Sequence, residues 1–343
     1  MASKREPTRS PSLRELGKHL GLSPTTVSLV LNASPAAAGI PKETQDRIFA
    51  AAKRFNYRPN FLAKSLRSQR TFSIGVMIPE LGEGYAALVL SGIEECLLAR
   101  DYVYLVTTHR HKPDLIERGP RLLYQRRVEG VIAVDTPIRS PQPFPVVHVS
   151  GHDRLPGTVN IVLDHSRAAE LGLRHLLVYG HRHIAFFQGQ SFSSDSQIRW
   201  DAICAAAARL QVPIDPRLVV RLDGDSPSPQ PGYCAAHKLI ATGLHFTALW
   251  AFNDISAIGA MRALMESGLR VPHDVSVLGF DDVYGAGFHN PSLSTVRQPL
   301  AHMGLLAAET LLNRIAHPES STHDEHGVAP ELVARESTAP VRT

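Results

Sequence analysis

The chain has 343 residues, 43% of them hydrophobic, with three cysteines and a formal net charge of +4. That length allows two or three ordinary soluble cores, and no apolar run approaches the roughly 20 residues that would span a bilayer. Cys96, Cys204 and Cys234 lie far apart with no C-x-x-C pair, which argues against a disulfide framework or a thiolate metal site and leaves a cytoplasmic protein as the plain expectation.

The charge is unevenly spread. Residues 1–70 carry thirteen Lys and Arg against four acids, a net +9, while 71–343 carry twenty-three against twenty-eight, a net −5. A small basic head on a mildly acidic body is the electrostatic footprint of a polyanion binder, because each cation placed near a phosphate releases counterions. Charge alone does not separate DNA from RNA or an acidic membrane.

In chain order, residues 1–11 are polar and basic and read as a disordered arm, with no apolar stretch of the secretory kind. Ser12-Leu13-Arg14-Glu15 has the spacing of a capping box. Leu13, Leu16 and Leu20 follow at helical spacing, and Gly21 supplies the stop. Ser23-Pro24 then opens a second helix, with proline in the first turn where its missing amide costs nothing. Val27, Val30 and Leu31 lie on one side of it; Thr25, Ser28 and Leu29 point elsewhere. A third helix from about 42 to 55 has Ile48, Ala51, Ala52 and Phe55 as its inner stripe. Two short helices joined by a Gly-containing turn match the helix-turn-helix pattern, although the same signals can begin any small bundle.

From 71 onward, apolar runs at 74–78, 102–106, 131–134, 146–149, 184–187, 249–252 and 275–280 alternate with amphipathic stretches near 85–99, 114–127, 166–179, 196–210, 232–242, 255–267 and 300–316. This alternation predicts right-handed βαβ units, mainly parallel sheets and two similar α/β lobes. The ends, 1–10 and 337–343, are expected to be mobile. Ligands of open α/β sheets sit beyond the carboxyl ends of the strands. Those ends carry Asp135, Asn253-Asp254 and Asp281-Asp282, with Arg199 on a following helix, Gln298 at a returning crossover, and Tyr85 placed to stack on a ligand. Alternatives stay open: Asp254 and Asp282 as helix N-caps, Asp135 as a loop acid, Tyr85 as core, and Arg199 with Asp281 as a structural ion pair.

Chemistry for catalysis is missing from the pattern. There is no Walker A loop and no G-x-S-x-G elbow, and Gly285-Ala286-Gly287 lacks the third glycine of a dinucleotide fingerprint. The pairs His109/His111 and His181/His183 have i, i+2 spacing without acidic or Cys partners, poor grounds for a metal. The expectation is no enzyme, no cofactor and no metal.

The run Leu22-Ser23-Pro24-Thr25-Thr26-Val27-Ser28-Leu29-Val30-Leu31-Asn32 resembles the recognition region of the lactose/galactose-repressor (LacI/GalR) family. Phe55-Asn56-Tyr57-Arg58-Pro59-Asn60, Ala63-Lys64-Ser65-Leu66-Arg67, Gly180-His181-Arg182-His183-Ile184, Val271-Pro272-His273-Asp274-Val275-Ser276 and Thr295-Val296-Arg297-Gln298-Pro299 continue the resemblance over nearly the whole chain. It implies an α/β protein with an all-α head: a three-helix helix-turn-helix domain at 12–58, a hinge helix and linker at 59–70, and a two-lobed periplasmic-binding-protein-like (type I) core at 71–343. Lobe 1 would comprise about 71–160 and 292–320, and lobe 2 about 161–291 and 321–336. By the same resemblance Pro24, Thr25 and Leu29 face base edges, and Ser23, Thr26, Ser28, Asn32 and Tyr57 approach phosphates. Asn60, Ala63, Lys64 and Leu66 belong to the hinge, with Leu66 as a minor-groove wedge. Arg199, Asn253, Asp281 and Gln298 line an effector cleft, to which the strand-end reading adds Tyr85 and Asp135.

Two departures stand out. Leu29 cannot donate a bidentate bond to guanine where relatives often carry a polar residue, and the 33–41 loop is longer than usual. The expected partners are double-stranded operator DNA, a sugar-like effector and a second copy of the chain, with no membrane. No leucine-heptad tail follows Arg335, so a dimer is favoured over a tetramer. The alternative is a solute-binding protein or sensor without DNA binding.

Overall fold

The structure, a computed structural model, describes residues 11–32, 34–57, 70–82, 84–151, 155–224, 227–319 and 325–342. The chain divides into two units, 1–70 and 71–343.

In the first unit, α1 (Leu13–Leu20) starts from the reciprocal Ser12/Glu15 capping box and stops at Gly21, whose φ of 66° is left-handed. α2 (Pro24–Leu31) is capped by Ser23, whose side chain accepts from the Thr26 amide, and α3 (Lys42–Arg54) closes the bundle. Leu16, Val27, Val30, Ala37, Ile48 and Ala51 are its buried core. The long loop between α2 and α3 contains a 3-10 turn, Pro35–Gly39. Gln45 Nε2 holds it, donating to Ala37 O at 3.1 Å and Ile40 O at 2.9 Å.

The second unit holds two six-stranded sheets. In chain order its strands are β1 (Ser73–Ile78), β2 (Val103–Thr108), β3 (Gly130–Val134), β4 (Val146–Val149), β5 (Thr158–Leu163), β6 (Ile184–Gln188), β7 (Val219–Arg221), β8 (Ala248–Trp250), β9 (Ser276–Asp281), β10 (Ser294–Arg297), β11 (Glu325–Val328) and β12 (Glu331–Val333). Lobe 1 has the order β11-β5-β4-β3-β1-β2, and lobe 2 β12-β10-β9-β8-β6-β7. All described pairings are parallel except β10 with β12. The helices are α4 (Tyr85–Leu98), α5 (Pro113–Gln125), α6 (His165–Val178), α7 (Ser194–Arg209), α8 (Gln230–Ala241), α9 (Asp254–Glu266), α10 (Tyr284–Phe288) and α11 (Leu300–Ala316). α4 and α11 cross in backbone contact: a Cβ on Gly92 would strike Ala301 O, and one on Gly304 would strike Val89 O. Only glycine fits at such a crossing.

Three expectations need correction. The chain crosses between the lobes after β5, after β10 and between β11 and β12, in keeping with crossings near 160 and within 320–330, but the second comes after Arg297 and not near 291. So β10, expected in lobe 1, pairs within lobe 2, and β11, expected in lobe 2, pairs with β5 of lobe 1. Thirdly, the segment 337–342 is tied down. Ser337 N donates to Ser292 O at 2.9 Å, Val277 N donates to Ser337 O at 2.8 Å, and Val341 N donates to Tyr179 O at 2.8 Å. Ser337 and Thr338 are buried by these bonds.

Candidate functional site

The facing carboxyl ends of the two sheets enclose a cavity of about 130 Å³. From lobe 1 it is lined by Glu80, Tyr85, His111 and Asp135; lobe 2 contributes Phe192, Asp195, Arg199, Phe252, Asn253 and Asp281.

The lobes are clasped across this cavity. Ser194 opens α7 of lobe 2, and its backbone N donates to Asp135 Oδ1 of lobe 1 at 2.9 Å. Its Oγ lies 2.5 Å from the same carboxylate oxygen and 2.6 Å from Ser150 O, with one proton to give. A carboxylate at a helix N-terminus satisfies an orphan amide and complements the helix dipole. Burial nevertheless pushes the Asp135 carboxyl above its ordinary range, with the Ser194 bonds pulling it back. Beside the clasp, His111 of lobe 1 stacks on Phe192 of lobe 2 with centroids 3.8 Å apart. His111 Nε2 lies 3.5 Å from Glu80 Oε2. Its backbone N donates to Nδ1 of buried His109, whose Nε2 is 2.9 Å from Thr136 Oγ1. Burial draws the His109 imidazole down to about 4, so it is neutral and acts as a support for the loop.

Arg199 is 5% exposed. Its Nη1 donates to Phe252 O at 2.6 Å and its Nη2 to Asp195 Oδ2 at 3.2 Å. The guanidinium sits 3.7 Å from the Phe280 ring centroid and 4.5 Å from that of Phe252, a cation–π seat on two aromatic faces. The alternative Arg199–Asp281 ion pair is not what forms; Asp195, four residues earlier on the same helix, takes the arginine. That i, i+4 spacing was available in the sequence as a signal.

Asp281 ends β9 with φ 112°, and its Oδ1 accepts from Gln298 Nε2 at 2.6 Å. Burial pushes its carboxyl up to about 6, against the pull of Arg199 and the Gln298 bond. Gln298, 2% exposed, does not line the cavity and donates to Asp281, which does. Asn253 lines the cavity and is also the N-cap of α9, its side chain accepting from Ser256 N at 2.9 Å. The N-cap expectation for Asp254 therefore fails: Asp254 is buried and accepts from Val283 N at 2.9 Å and Thr295 Oγ1 at 2.6 Å. Asp282 is no cap either, since it joins Arg297 at 2.7 Å and Arg335 at 2.6 Å. Tyr85 combines its two readings, lining the cavity while its hydroxyl donates to Ser150 Oγ at 2.7 Å.

The sequence reading missed Glu80, His111, Phe192 and Asp195. Glu80 and His111 follow β1 and β2, so strand ends were a usable signal for both. In the sequence the i, i+2 pairing of His111 with His109 points toward a metal instead. Among the described residues no group of three His, Cys, Asp or Glu side chains could hold a metal, and no helix is long and apolar enough to cross a membrane.

In the first unit Ser23, Pro24, Thr25 and Asn32 are exposed, whereas Thr26, Ser28 and Tyr57 are half-buried. Leu29 is half-buried too and packs on the edge of the head core. Ser23 Oγ and Thr26 Oγ1 are 2.8 Å apart, and Asn32 Nδ2 donates to Ser28 O at 2.7 Å, so the second helix presents pre-ordered polar groups. Asn60, Ala63, Lys64 and Leu66, expected in a hinge helix, lie outside the described residues, as does most of the segment 1–11.

Residues 12–60 match the family of bacterial regulatory proteins, lacI family, and 173–338 match a periplasmic binding protein-like domain. The HTH-type transcriptional repressor PurR of Haemophilus influenzae is 29% identical over 335 residues, 95% of this chain and 98% of that protein. The PurR repressor of Yersinia pestis bv. Antiqua is 30% identical over 339 residues, 96% of this chain and 97% of its own. Among solved structures, the Lac repressor bound to ONPG in the repressed state superposes with TM-score 0.84 at 26% identity, covering 96% of this chain and all of that one. The regulator CelR in complex with cellobiose gives 0.70 at 25%, covering 95% and 99%. With a relative at 30% identity over almost its full length, and a helix-turn-helix head joined to a two-lobed α/β core, the chain belongs to the LacI family.

Proposed function

We propose that this protein is a transcriptional repressor that grips a palindromic operator as a homodimer and answers to a sugar-like metabolite held between its core lobes. As a member of its family it is a DNA-binding transcriptional regulator controlled by a small-molecule effector. The observation that carries the fuller reading is the pairing, in one chain, of a +9 head with an interlobe cavity whose walls are polar groups from both lobes.

In a symmetric pair the recognition helices would enter successive major grooves about 34–36 Å apart. Pro24, Thr25 and Leu29 would face bases, while Ser23, Thr26, Ser28, Asn32 and Tyr57 would meet phosphates. Asn60, Ala63, Lys64 and Leu66 would form the hinge in the minor groove. Dimerisation is supported by large apolar side chains left in solvent, Tyr284 at 78% and Phe288 at 91% exposure in lobe 2, with Leu98 and edge-strand Val103 in lobe 1. Effector binding that changes lobe closure would change the separation of the two hinges, so that DNA and metabolite affinities are linked through two states. A duplex-binding repressor belongs in the cytoplasm, and no catalytic step is assigned to it.

Operator selection from a random duplex pool, followed by gel shifts at stated salt, tests the reading. One two-fold symmetric sequence should emerge, and Leu66→Ala should bind it far more weakly with the fold retained. Absence of preference for any duplex would favour a sensor without DNA binding.

A further inference from the structure

We propose that lobe 2 carries a second ligand site, which takes a small anion bearing two or more phosphate groups. It stands apart from the effector reading of the cleft. A groove of about 760 Å³ lies at the amino ends of β6, β8 and β9, opposite the carboxyl ends that enclose the interlobe cavity, and residues 340–342 contribute to its wall. That volume is in the range of small-molecule sites. Exposed Arg182, Arg270, Arg342, His183, His245 and His273 all line it. Its one acid, Asp274, is consumed by Arg270: the Arg270 amide and Nε donate to Oδ2 and Nη2 donates to Oδ1, each at 2.8 Å. Arg182 and Arg342 are left without a carboxylate partner among the described residues, in a body whose net charge is −5.

Cations at this end of a sheet often serve helix C-termini, bonding the last carbonyls and complementing the dipole, and α6, α8 and α9 all end here. That role is already filled by backbone amides. Gly180 N donates to Leu177 O at 2.9 Å, Gly243 N to Ile240 O at 3.1 Å and Gly268 N to Met265 O at 3.0 Å, each glycine having positive φ. Among the described residues Arg182 and the imidazoles of His183 and His245, with centroids 5.8 Å apart, bond no helix carbonyl. Buried His181, by contrast, is spent on Thr247 Oγ1 and Ala339 O, both at 3.0 Å. Arg342 Nη2 donates to His273 Nδ1 at 3.4 Å and keeps its other N–H groups. Guanidinium forks match phosphate oxygens, which accept from arginine in pairs, and a concave wall concentrates the field of such cations on an anion. Two guanidiniums, each able to take one phosphate in two bonds, favour an anion with at least two phosphates over a lone one. Leu244, Leu269 and Pro272 add apolar wall for an organic part.

The test is hydrogen exchange on the full chain, titrated with sodium tripolyphosphate, ATP and inorganic phosphate at one salt concentration. The basic head also attracts polyanions, so the site is read from its own segments: tripolyphosphate should slow exchange at 180–183, 244–247 and 340–342. Followed at those segments, tripolyphosphate should bind at least tenfold more tightly than inorganic phosphate. Arg182→Ala and Arg342→Ala should each weaken it at least tenfold, the loss of a charge-assisted hydrogen bond. Both side chains are exposed, and a random duplex bound equally by parent and variants shows that the rest of the chain is intact. ATP matching tripolyphosphate would assign recognition to the phosphates alone; ATP binding more tightly would assign a nucleotide, and either result supports the site. Protection confined to residues 1–70, inorganic phosphate as tight as tripolyphosphate, or full affinity in either variant overturns the proposal.

Discussion

Replacing Asp281 by Asn should make the ligand-free core more stable at neutral pH while weakening its response to effector. The carboxyl is buried at the end of β9, and burial raises it from an ordinary 3.8 to about 6. A group whose folded pKa lies above its unfolded one favours the fold fully only below the unfolded value, and that contribution is lost as pH rises through the folded value. Two units correspond to about 3 kcal/mol of stability forgone above pH ~7 relative to pH below ~4. The carboxamide carries no charge to desolvate, can still accept from Gln298 Nε2, and suits the φ of 112° better than most residues because Asn tolerates positive φ. Urea unfolding followed by the fluorescence of Trp200 and Trp250, the two tryptophans of the chain and both in lobe 2, reads the core rather than the head. Between pH 4 and 7.5 the parent's midpoint should fall relative to that of Asp281→Asn, which should become the more stable protein at the upper end. Parallel pH profiles for the two would show that Asp281 is not held up by burial, and the reasoning would be wrong.

Ser194→Ala removes the hydroxyl shared between Asp135 and Ser150 but keeps the amide bond to Asp135. Losing one charge-assisted hydrogen bond of about 1.5–3 kcal/mol should favour lobe opening by at least tenfold, read as faster hydrogen exchange in the first turn of α7; unchanged protection would mean the clasp does not hold the lobes. Gly92→Ala places a Cβ against Ala301 O at the α4–α11 crossing. The helices must part at a cost of about 1–3 kcal/mol, and a core melting temperature equal to the parent's would contradict that packing. Ser23→Ala deletes the cap of α2 and should cost about 1 kcal/mol, confined to the first unit. Calorimetry should show the head transition lowered and the core transition unmoved.

How much of this was legible in the sequence depends on whether the determining physics was local. The capping box at Ser12, the Ser23 cap and the left-handed Gly21 are encounters between residues three or four apart, and they form as read, whereas Leu29, read as pointing away, packs on the edge of the head core. The interior strands β1, β3, β4, β6, β8 and β9 announce themselves as apolar runs because they are buried on both faces. The unannounced strands, β5, β7, β10, β11 and β12, are short or carry polar residues. β10 is Ser294-Thr295-Val296-Arg297, and its Ser and Thr are buried because Thr338 and Asp254, distant in sequence, supply partners for them. Lobe membership failed for the same reason: β10 and β11 are assigned by the strands they meet, β9 and β5, and composition does not encode a neighbour.

The cleft divides along this line too. Strand ends located Asp135, Asn253 and Asp281, since a parallel sheet puts its carboxyl ends on one side whatever the sequence. Partner choice did not follow, and partner choice sets the chemistry. An Asp before a helix is ordinarily a cap, yet Asp254 yields that role to Asn253, because the Val283 amide and the Thr295 hydroxyl are buried and have Asp254 as their acceptor. Arg199, read by itself, suits an anionic ligand; in the structure it pairs with Asp195 and sits on two phenyl rings, with its Nε buried and unpartnered. The polar residues around the cleft were thus legible one by one, whereas the partners that set their charge and donor capacity, Asp195 and Phe252 for Arg199, come from packing that no local pattern announces.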